Sequence, residues 1–460
     1  MGKISDVTLQ MGHSVIKMAC HIRNVRPLCP EGGLGGVSDI VIEGGRIDRI
    51  VPAASDGFTP QPVAADASAV IDGRGALCLP GLVNSHNHTP LMSVRGMVED
   101  LGFAPAYTPG VPQGHWLSDD ETLALSRLGV MELMMAGATT IVDYYRKPEA
   151  LARAAQEMGP RALVGGRVMD ADSAALAEGR FEHDRALGDA SLRDALDLVE
   201  RWQGVGRIDT MLAPHAPDTC SRAMLEEFAR LARTTGGQVH THLAQSPLEV
   251  ERIRAREGLT PVELLDDLGL LNADLVAAHC IFLTADDISR LGRNRVVVAH
   301  APVGNASFGA AAPIRALEGA GAQITLCTDT KCADMFEAMR MAIASARWRA
   351  EMEMVLDART VFGWATTGGA VALKREGASG TLQPGAPADL IILDPDAPNL
   401  CPVIDGFGIV VHSGSAANVR SVICEGEVLV RDGRPTRVDP AEVIDEAQRV
   451  AEALWRRARG

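Results

Sequence analysis

Two histidines with one residue between them close the apolar stretch Leu82-Val83-Asn84-Ser85-His86-Asn87-His88. Side chains two apart on a strand point to the same face. Both imidazoles can therefore aim at one point, and imidazole is the commonest metal ligand among side chains. Alone, such a pair can also be two unrelated polar residues at a strand end. The rest of the chain changes the balance. His215, His240, His242, His279, His300 and Asp329 each lie at the end of a later apolar run, so seven of the twelve histidines fall at such ends. A structural or solvated histidine has no reason to prefer those positions.

A mononuclear catalytic site needs three or four ligands and one position open to water. His86, His88, His242 and Asp329 are the expected ligands. The competing roles are a satisfied core imidazole and, for Asp329, an N-cap of the following helix. His279 is expected to hydrogen-bond the attacking water and the developing oxyanion rather than the metal. His215 is expected to face the substrate. His240 and His300 are expected behind the ligands, fixing their tautomers.

The elements that must position these residues follow from hydropathy. Eight apolar runs read as strands: Leu79–His88, Ala138–Tyr144, Arg161–Val168, Ile208–His215, Gly237–Leu243, Ala273–His279, Arg295–His300 and Ala322–Asp329. Amphipathic segments such as Asp119–Met135, Ser191–Trp202 and Ser221–Arg233 lie between them. Eightfold strand-helix alternation predicts a (β/α)8 TIM-like barrel over 79–375. Its continuous apolar strands fit burial on both faces. Barrel enzymes carry their catalytic groups at the C-terminal strand ends, where the histidines stand.

The flanks differ. Asp39–Glu43, Gly44-Gly45 and Arg46–Val51 predict a hairpin, and Ala69–Gly73 a further strand and turn. After about 380, Ala388–Leu393, Gly408–His412 and Val419–Cys424 predict strands, and Asp439–Arg457 a terminal helix. Residues 1–78 and 376–460 are expected to combine into one small β-sandwich, because chain ends often lie close together. The long Gly- and Pro-rich loop from Thr89 to Leu117 is expected to shape the pocket, with Trp116, Tyr144, Tyr145 and Met169 as candidate walls.

Composition narrows the function classes. The 460 residues are 47% hydrophobic and 22% charged, an ordinary globular balance. A formal charge of -15 argues against a nucleic-acid partner. There is no signal-like N-terminal pattern and no run of 18 apolar residues, so no membrane partner is expected and the cytoplasm is the expected compartment. The nine cysteines include no Cys-X-X-Cys, and Cys78, Cys280 and Cys327 are expected as buried thiols.

Pro80–His88, Pro214-His215-Ala216-Pro217, His240-Thr241-His242-Leu243-Ala244, Ala278-His279-Cys280, Cys327-Thr328-Asp329 and the late Gly380–Leu390 segment together resemble the amidohydrolase superfamily. The resemblance covers nearly the whole chain. Its closest branch is the cytosine-deaminase-like group, with chlorohydrolases and deaminases of triazines, guanine and S-adenosylhomocysteine. It implies a barrel-plus-sandwich fold, a divalent ion (zinc, with iron as the alternative), a small-molecule substrate, hydrolysis, and a homo-oligomer. The ion lowers the pKa of water to about 7. Asp329 would take a proton from that water, and His279 would stabilise charge developing on a C=N or C=O unit.

Two residues depart from the pattern. Deaminases of this branch carry Glu three residues after the strand-five histidine; this chain reads His242-Leu243-Ala244-Gln245. An amide can position substrate but has no proton to relay at neutral pH. This weakens aromatic deamination and favours cleavage of an amide, urea, carbamate or thiocarbamate, or displacement of another leaving group; an aminohydrolase or chlorohydrolase of a purine-, pterin- or triazine-like heterocycle is the alternative. Superfamily members that cleave phenylureas and thiocarbamates are the concrete parallel. The second departure is Lys331, which could meet an anionic substrate group or be a solvated loop residue. The lysines are Lys3, Lys17, Lys147, Lys331 and Lys374. None stands at the end of strand four, where binuclear relatives place a bridging lysine, so one metal ion is expected. A non-catalytic metal- or ligand-binding barrel is the alternative of another class.

Overall fold

The computed structural model describes residues 20–53, 69–101, 110–178, 180–330, 332–350, 356–375 and 380–459. Lys331, and part of the loop between Thr89 and Leu117, lie outside the described residues.

Eight parallel strands follow one another around a barrel: Leu82–Asn87, Ala138–Tyr145, Arg161–Val168, Ile208–Pro214, Val239–Leu243, Leu275–His279, Val297–His300 and Gln323–Leu326. Each is hydrogen-bonded to the next, as in Thr210↔Val164, His242↔Ala278 and Ala299↔Thr325. The eighth strand meets the first without a regular ladder. Side chains make the seam instead: Ser85 Oγ donates to the Leu326 carbonyl at 2.8 Å, and Asn84 Nδ2 to Thr328 Oγ1 at 2.8 Å. The Thr328 N–H donates to Asn84 Oδ1 at 3.1 Å and the Asp329 N–H to the His86 carbonyl at 3.1 Å. The polar residues that interrupt the first apolar run thus bring Asp329 beside His86.

The helices lie outside the strands. Asp119–Met135 spans the expected residues and starts at a capping box, with Ser118 Oγ accepting from the Glu121 N–H. Arg185–Trp202 begins six residues earlier than expected because Asp184 caps it, accepting from the Ala186 N–H. Ser221 caps Arg222–Thr235. Strand and helix faces meet in one apolar core.

Among the described residues, ten further strands join both ends of the chain in a mixed sheet. The hairpin Ser38–Glu43 and Arg46–Pro52 is antiparallel, as expected. The two ends are stitched where Leu77–Pro80 runs antiparallel to Leu390–Leu393, with Leu79 opposite Ile391. Ile22, Ile40, Ile42, Ile47, Leu390, Ile392 and Ile423 fill its core. Arg161, at the start of the third barrel strand, pairs with Asp389 at 3.4 Å and Glu425 at 2.7 Å and ties the sheet to the barrel.

Two expectations are corrected. Leu79–His88 is two strands, not one. Gly81 separates them where a Cβ would collide with the Thr139 side chain. The segment expected as the strand Gly408–His412 is a helix, Gly406–Ser413. Asp405 caps it by accepting from the Phe407 N–H at 3.1 Å, and the run packs against the helices Met335–Arg349 and Ala358–Trp364 and against the short strand Gly33–Leu34. All nine cysteines are free thiols, and Cys78, Cys280 and Cys327 are buried. Among the described residues, no helix is long and apolar enough to cross a membrane.

Candidate metal centre and active site

The first, fifth, sixth and eighth strands deliver their terminal side chains to one point. Ligand-capable atoms of His86, His88 and Asp329 lie within 4.8 Å of one another, as do those of His86, His242 and His279. His88 Nε2 is 3.1 Å from His242 Nε2. Asp329 Oδ1 is 4.0 Å from His86 Nε2, and its Oδ2 is 3.9 Å from His279 Nε2.

The outer nitrogens show which atoms hold lone pairs. A carbonyl can only accept, so His88 Nδ1–H donates to the Tyr144 carbonyl at 2.7 Å and His242 Nδ1–H to the His215 carbonyl at 2.7 Å. Both Nε2 atoms then carry lone pairs and face each other, with the Tyr144 hydroxyl 3.3 Å from that of His242. Facing lone pairs repel unless a cation lies between them. Zn–N bonds of about 2.0–2.1 Å in a tetrahedron place ligand nitrogens about 3.3 Å apart, close to the separation seen. His86 shares one proton with His240, its Nδ1 being 2.8 Å from His240 Nε2. Its own Nε2 is buried without a partner and points into the cluster. The donor set therefore fits a divalent metal.

Burial sets the protonation states. It pushes His88 down to about 4 and His240 and His300 to about 3, and holds His86, His215 and His242 well below the ordinary imidazole value. A neutral imidazole is what a metal requires. Backbone strain gathers here too. His279, Asp329 and Ala244 hold φ of 74°, 57° and 48°, the left-handed region that costs a non-glycine residue about 1–3 kcal/mol.

His215 Nδ1 lies 2.7 Å from Thr219 Oγ1, whose own proton goes to the Ala216 carbonyl. His215 therefore donates through Nδ1 and keeps Nε2 as an acceptor. His279 Nδ1–H donates to Asn305 Oδ1 at 2.9 Å. His240 stands directly behind His86. His300 is buried without a hydrogen bond on either nitrogen, so it does not orient a ligand in the way expected of it. Tyr144, expected as a wall, puts its hydroxyl 2.9 Å from His242 Nδ1.

Gln245 follows the fifth strand. Its backbone N–H and that of Ala244 donate to the buried carboxylate of Glu249, both at 2.8 Å. Burial, with Asp218 nearby, holds the Glu249 carboxyl well above its ordinary value. Sequence reasoning did not pick out Glu249, Asn305, Thr219 or Asp143. Asp143 is buried on the second strand and accepts from the Thr89 N–H at 3.0 Å and from the Thr89 hydroxyl, fixing the residue that follows His88. These partners are remote in the chain and no motif announces them.

Residues 77–429 match the Amidohydrolase family profile. The chain is 33% identical over 435 residues to the 5′-deoxyadenosine deaminase of Methanosarcina mazei, covering 92% of this chain and 95% of that one. It is 33% identical over 442 residues to the 5-methylthioadenosine/S-adenosylhomocysteine deaminase of Desulforudis audaxviator, covering 94% and 98%. An adenosine deaminase from Xanthomonas campestris, solved with bound zinc, superposes with a TM-score of 0.81 at 25% identity, covering 95% of this chain and 98% of that one.

Proposed function

The chain belongs to the amidohydrolase family, and we propose that it cleaves an acyl-type C–N bond, in an amide, urea or carbamate of a small molecule. We assign His86, His88, His242 and Asp329 as holding one ion, zinc in preference to iron. When bound, that ion supplies a nucleophile at neutral pH by acidifying water. Asp329 accepts the proton of the attacking water and later delivers it to the departing nitrogen. His279, oriented by Asn305, faces the oxygen that gains charge and stabilises it. His215, neutral and with Nε2 free to accept, holds an N–H of the substrate. Gln245 hydrogen-bonds the carbonyl side of the reacting group.

One observation carries the choice of acyl substrate over ring deamination: the position after His242-Leu243-Ala244 is an amide, Gln245. Glu249 is occupied by two backbone N–H groups. Protonation of a ring nitrogen needs an acid there, whereas an amide or urea oxygen can be polarised without one. A second reading, deamination of a nucleoside-like aminoheterocycle, is supported by what the relatives from Methanosarcina mazei and Desulforudis audaxviator are called. We also propose a cytoplasmic homo-oligomer.

The test is a screen of the zinc-loaded protein that scores ammonia and organic amine separately. Release of amine from amides, ureas or carbamates, with no ammonia from aminopurines, pterins or aminotriazines, is expected. Ammonia from the heterocycles alone would replace this reading with the second. Metal-stripped protein that keeps full turnover would end both.

A further inference from the structure

The loop that follows the fourth barrel strand is irregular, yet residues 215–220 are all buried. Buried backbone carbonyls must find donors. A single side chain supplies three of them. Arg256 is the penultimate residue of the helix Pro247–Glu257, which follows the fifth strand. Its Nη2 donates to the Pro217 carbonyl at 3.0 Å, and its Nη1 to the carbonyls of Cys220 at 3.1 Å and Asp218 at 3.4 Å. One turn earlier on the same helix face, Arg252 pairs with the buried Asp218 carboxylate at 3.1 Å.

His215 opens this loop. Its carbonyl accepts from His242 twice, from the backbone N–H at 3.0 Å and from Nδ1–H at 2.7 Å. Its own Nδ1–H donates to Thr219 Oγ1 at 2.7 Å, four residues along the loop. Where the loop lies therefore sets both the tautomer of His242 and the direction of the His215 ring. The same two arginines also reach the segment that follows the third strand. Arg252 lies 4.1 Å from the centroid of the Phe181 ring. Arg256 Nη1 donates to His183 Nε2 at 3.3 Å, and His183 Nδ1–H to Asp170 Oδ1 at 2.8 Å. Asp170 Oδ1 in turn accepts from the Ser221 N–H at 2.7 Å. The loop is thus gripped by Arg256 between Pro217 and Cys220 and by Asp170 at Ser221.

We propose that Arg252 and Arg256 are positioning residues of the metal centre. By holding residues 215–220 from the helix after the fifth strand, they fix the His215 carbonyl that orients His242 and the His215 ring that faces the substrate. The proposal rests on the assignment of His242 to the ion and extends the site to two side chains that act through the loop. Losing an outer partner that fixes a ligand's tautomer weakens metal binding about 10–100-fold. A pair that only ties two elements together leaves metal affinity unchanged.

Zinc dissociation constants, measured by competition with a chromophoric chelator, separate the two roles. The variants are Arg256→Met, the double variant Arg252→Met with Arg256→Met, and the conservative pair Arg252→Lys with Arg256→Lys. Arg290→Met is the control: the Arg290 side chain is 26% exposed, as is that of Arg256, and it pairs with Asp266 and Asp286 on the outer helices. Thermal unfolding of the metal-free proteins measures the general cost of each change. The double Met variant should bind zinc at least about tenfold more weakly than the wild type. Arg256→Met should lie between, and the Lys pair should regain part of the loss, since an ammonium can pair with Asp218 and reach one carbonyl. Arg290→Met should keep the wild-type zinc affinity whatever its Tm. Wild-type affinity in a folded double Met variant overturns the proposal. So does an equal loss in Arg290→Met, because affinity then follows stability alone. If the double Met variant does not fold, Arg256→Met and the Lys pair decide by the same criteria. A wild type that binds no zinc contradicts the metal centre and this proposal with it. Zinc bound equally well by wild type and variants contradicts this proposal alone.

Discussion

The backbone N–H of Gln245 donates to Glu249 Oε2 at 2.8 Å. A buried carboxylate on the following helix thus holds in place the residue whose side chain lacks a proton to give. Replacing Gln245 with Glu restores an acid at the position where deaminases of this family carry one. Ammonia release from aminoheterocycles should rise, by the 10²–10⁴-fold order a positioned general acid supplies if the ring is otherwise bound. An unchanged rate in an ammonia assay would count against the account of why ring deamination is disfavoured.

Asp143 anchors the loop that begins at His88. Asp143→Ala leaves the Thr89 N–H buried without an acceptor, at about 1–3 kcal/mol. Asp143→Asn keeps an acceptor for that N–H and can donate to the Thr89 hydroxyl. Burial raises the Asp143 carboxyl to about 7, so the loss of a full negative charge matters little. Urea unfolding should show a large loss for Ala and a small one for Asn, with zinc retention following the same order. Equal losses would remove the clamp from the account.

Metal-free protein should weaken in mild acid. The buried histidines have folded values below the 6.5 of the unfolded chain, such as about 4 for His88 and about 3 for His240. Above 6.5 neither state binds these protons. As pH falls from 6.5 toward 4 the unfolded chain takes them and the fold does not, so stability is full above 6.5 and is lost on acidification. Each such histidine contributes about 1.4 kcal/mol per pH unit in that window. Unfolding free energies of stripped protein at pH 7.5, 6 and 5 should fall with a slope steeper than one histidine allows. A flat profile would contradict the burial argument.

Asp389 joins the sheet to the barrel. It accepts from the Glu425 N–H at 2.8 Å and pairs with the mostly buried Arg161. Asp389→Ala should cost about 1–3 kcal/mol, because it leaves the Glu425 N–H without its acceptor while Arg161 keeps the nearer Glu425 carboxylate. The effect should appear in thermal unfolding, with turnover per folded molecule unchanged.

Legibility in the sequence followed the range of the forces. The eight barrel strands were readable because burial on both faces leaves unbroken apolar runs, and Arg161–Val168 has the observed bounds. The convergence of His86, His88, His242, His279 and Asp329 was readable because strand ends of a closed barrel share one rim. The break at Gly81 was announced by Pro80-Gly81 but masked by apolar residues on both sides. The run at Gly406–Ser413 is equally apolar as helix or strand, and its cap at Asp405 was the only discriminating signal. Glu249, Asn305 and Asp143 could not be found, since their roles depend on partners brought near only by the fold.

The central claim is that His86, His88, His242 and Asp329 surround one divalent ion. The facing Nε2 lone pairs of His88 and His242, 3.1 Å apart, are its sharpest sign. Anomalous diffraction collected on either side of the zinc edge, from crystals of protein isolated with its native metal, measures this directly. The account predicts one peak per chain, within bonding distance of His86 Nε2, His88 Nε2, His242 Nε2 and an Asp329 oxygen. A cluster without a peak, or a peak bound by other residues, would contradict it.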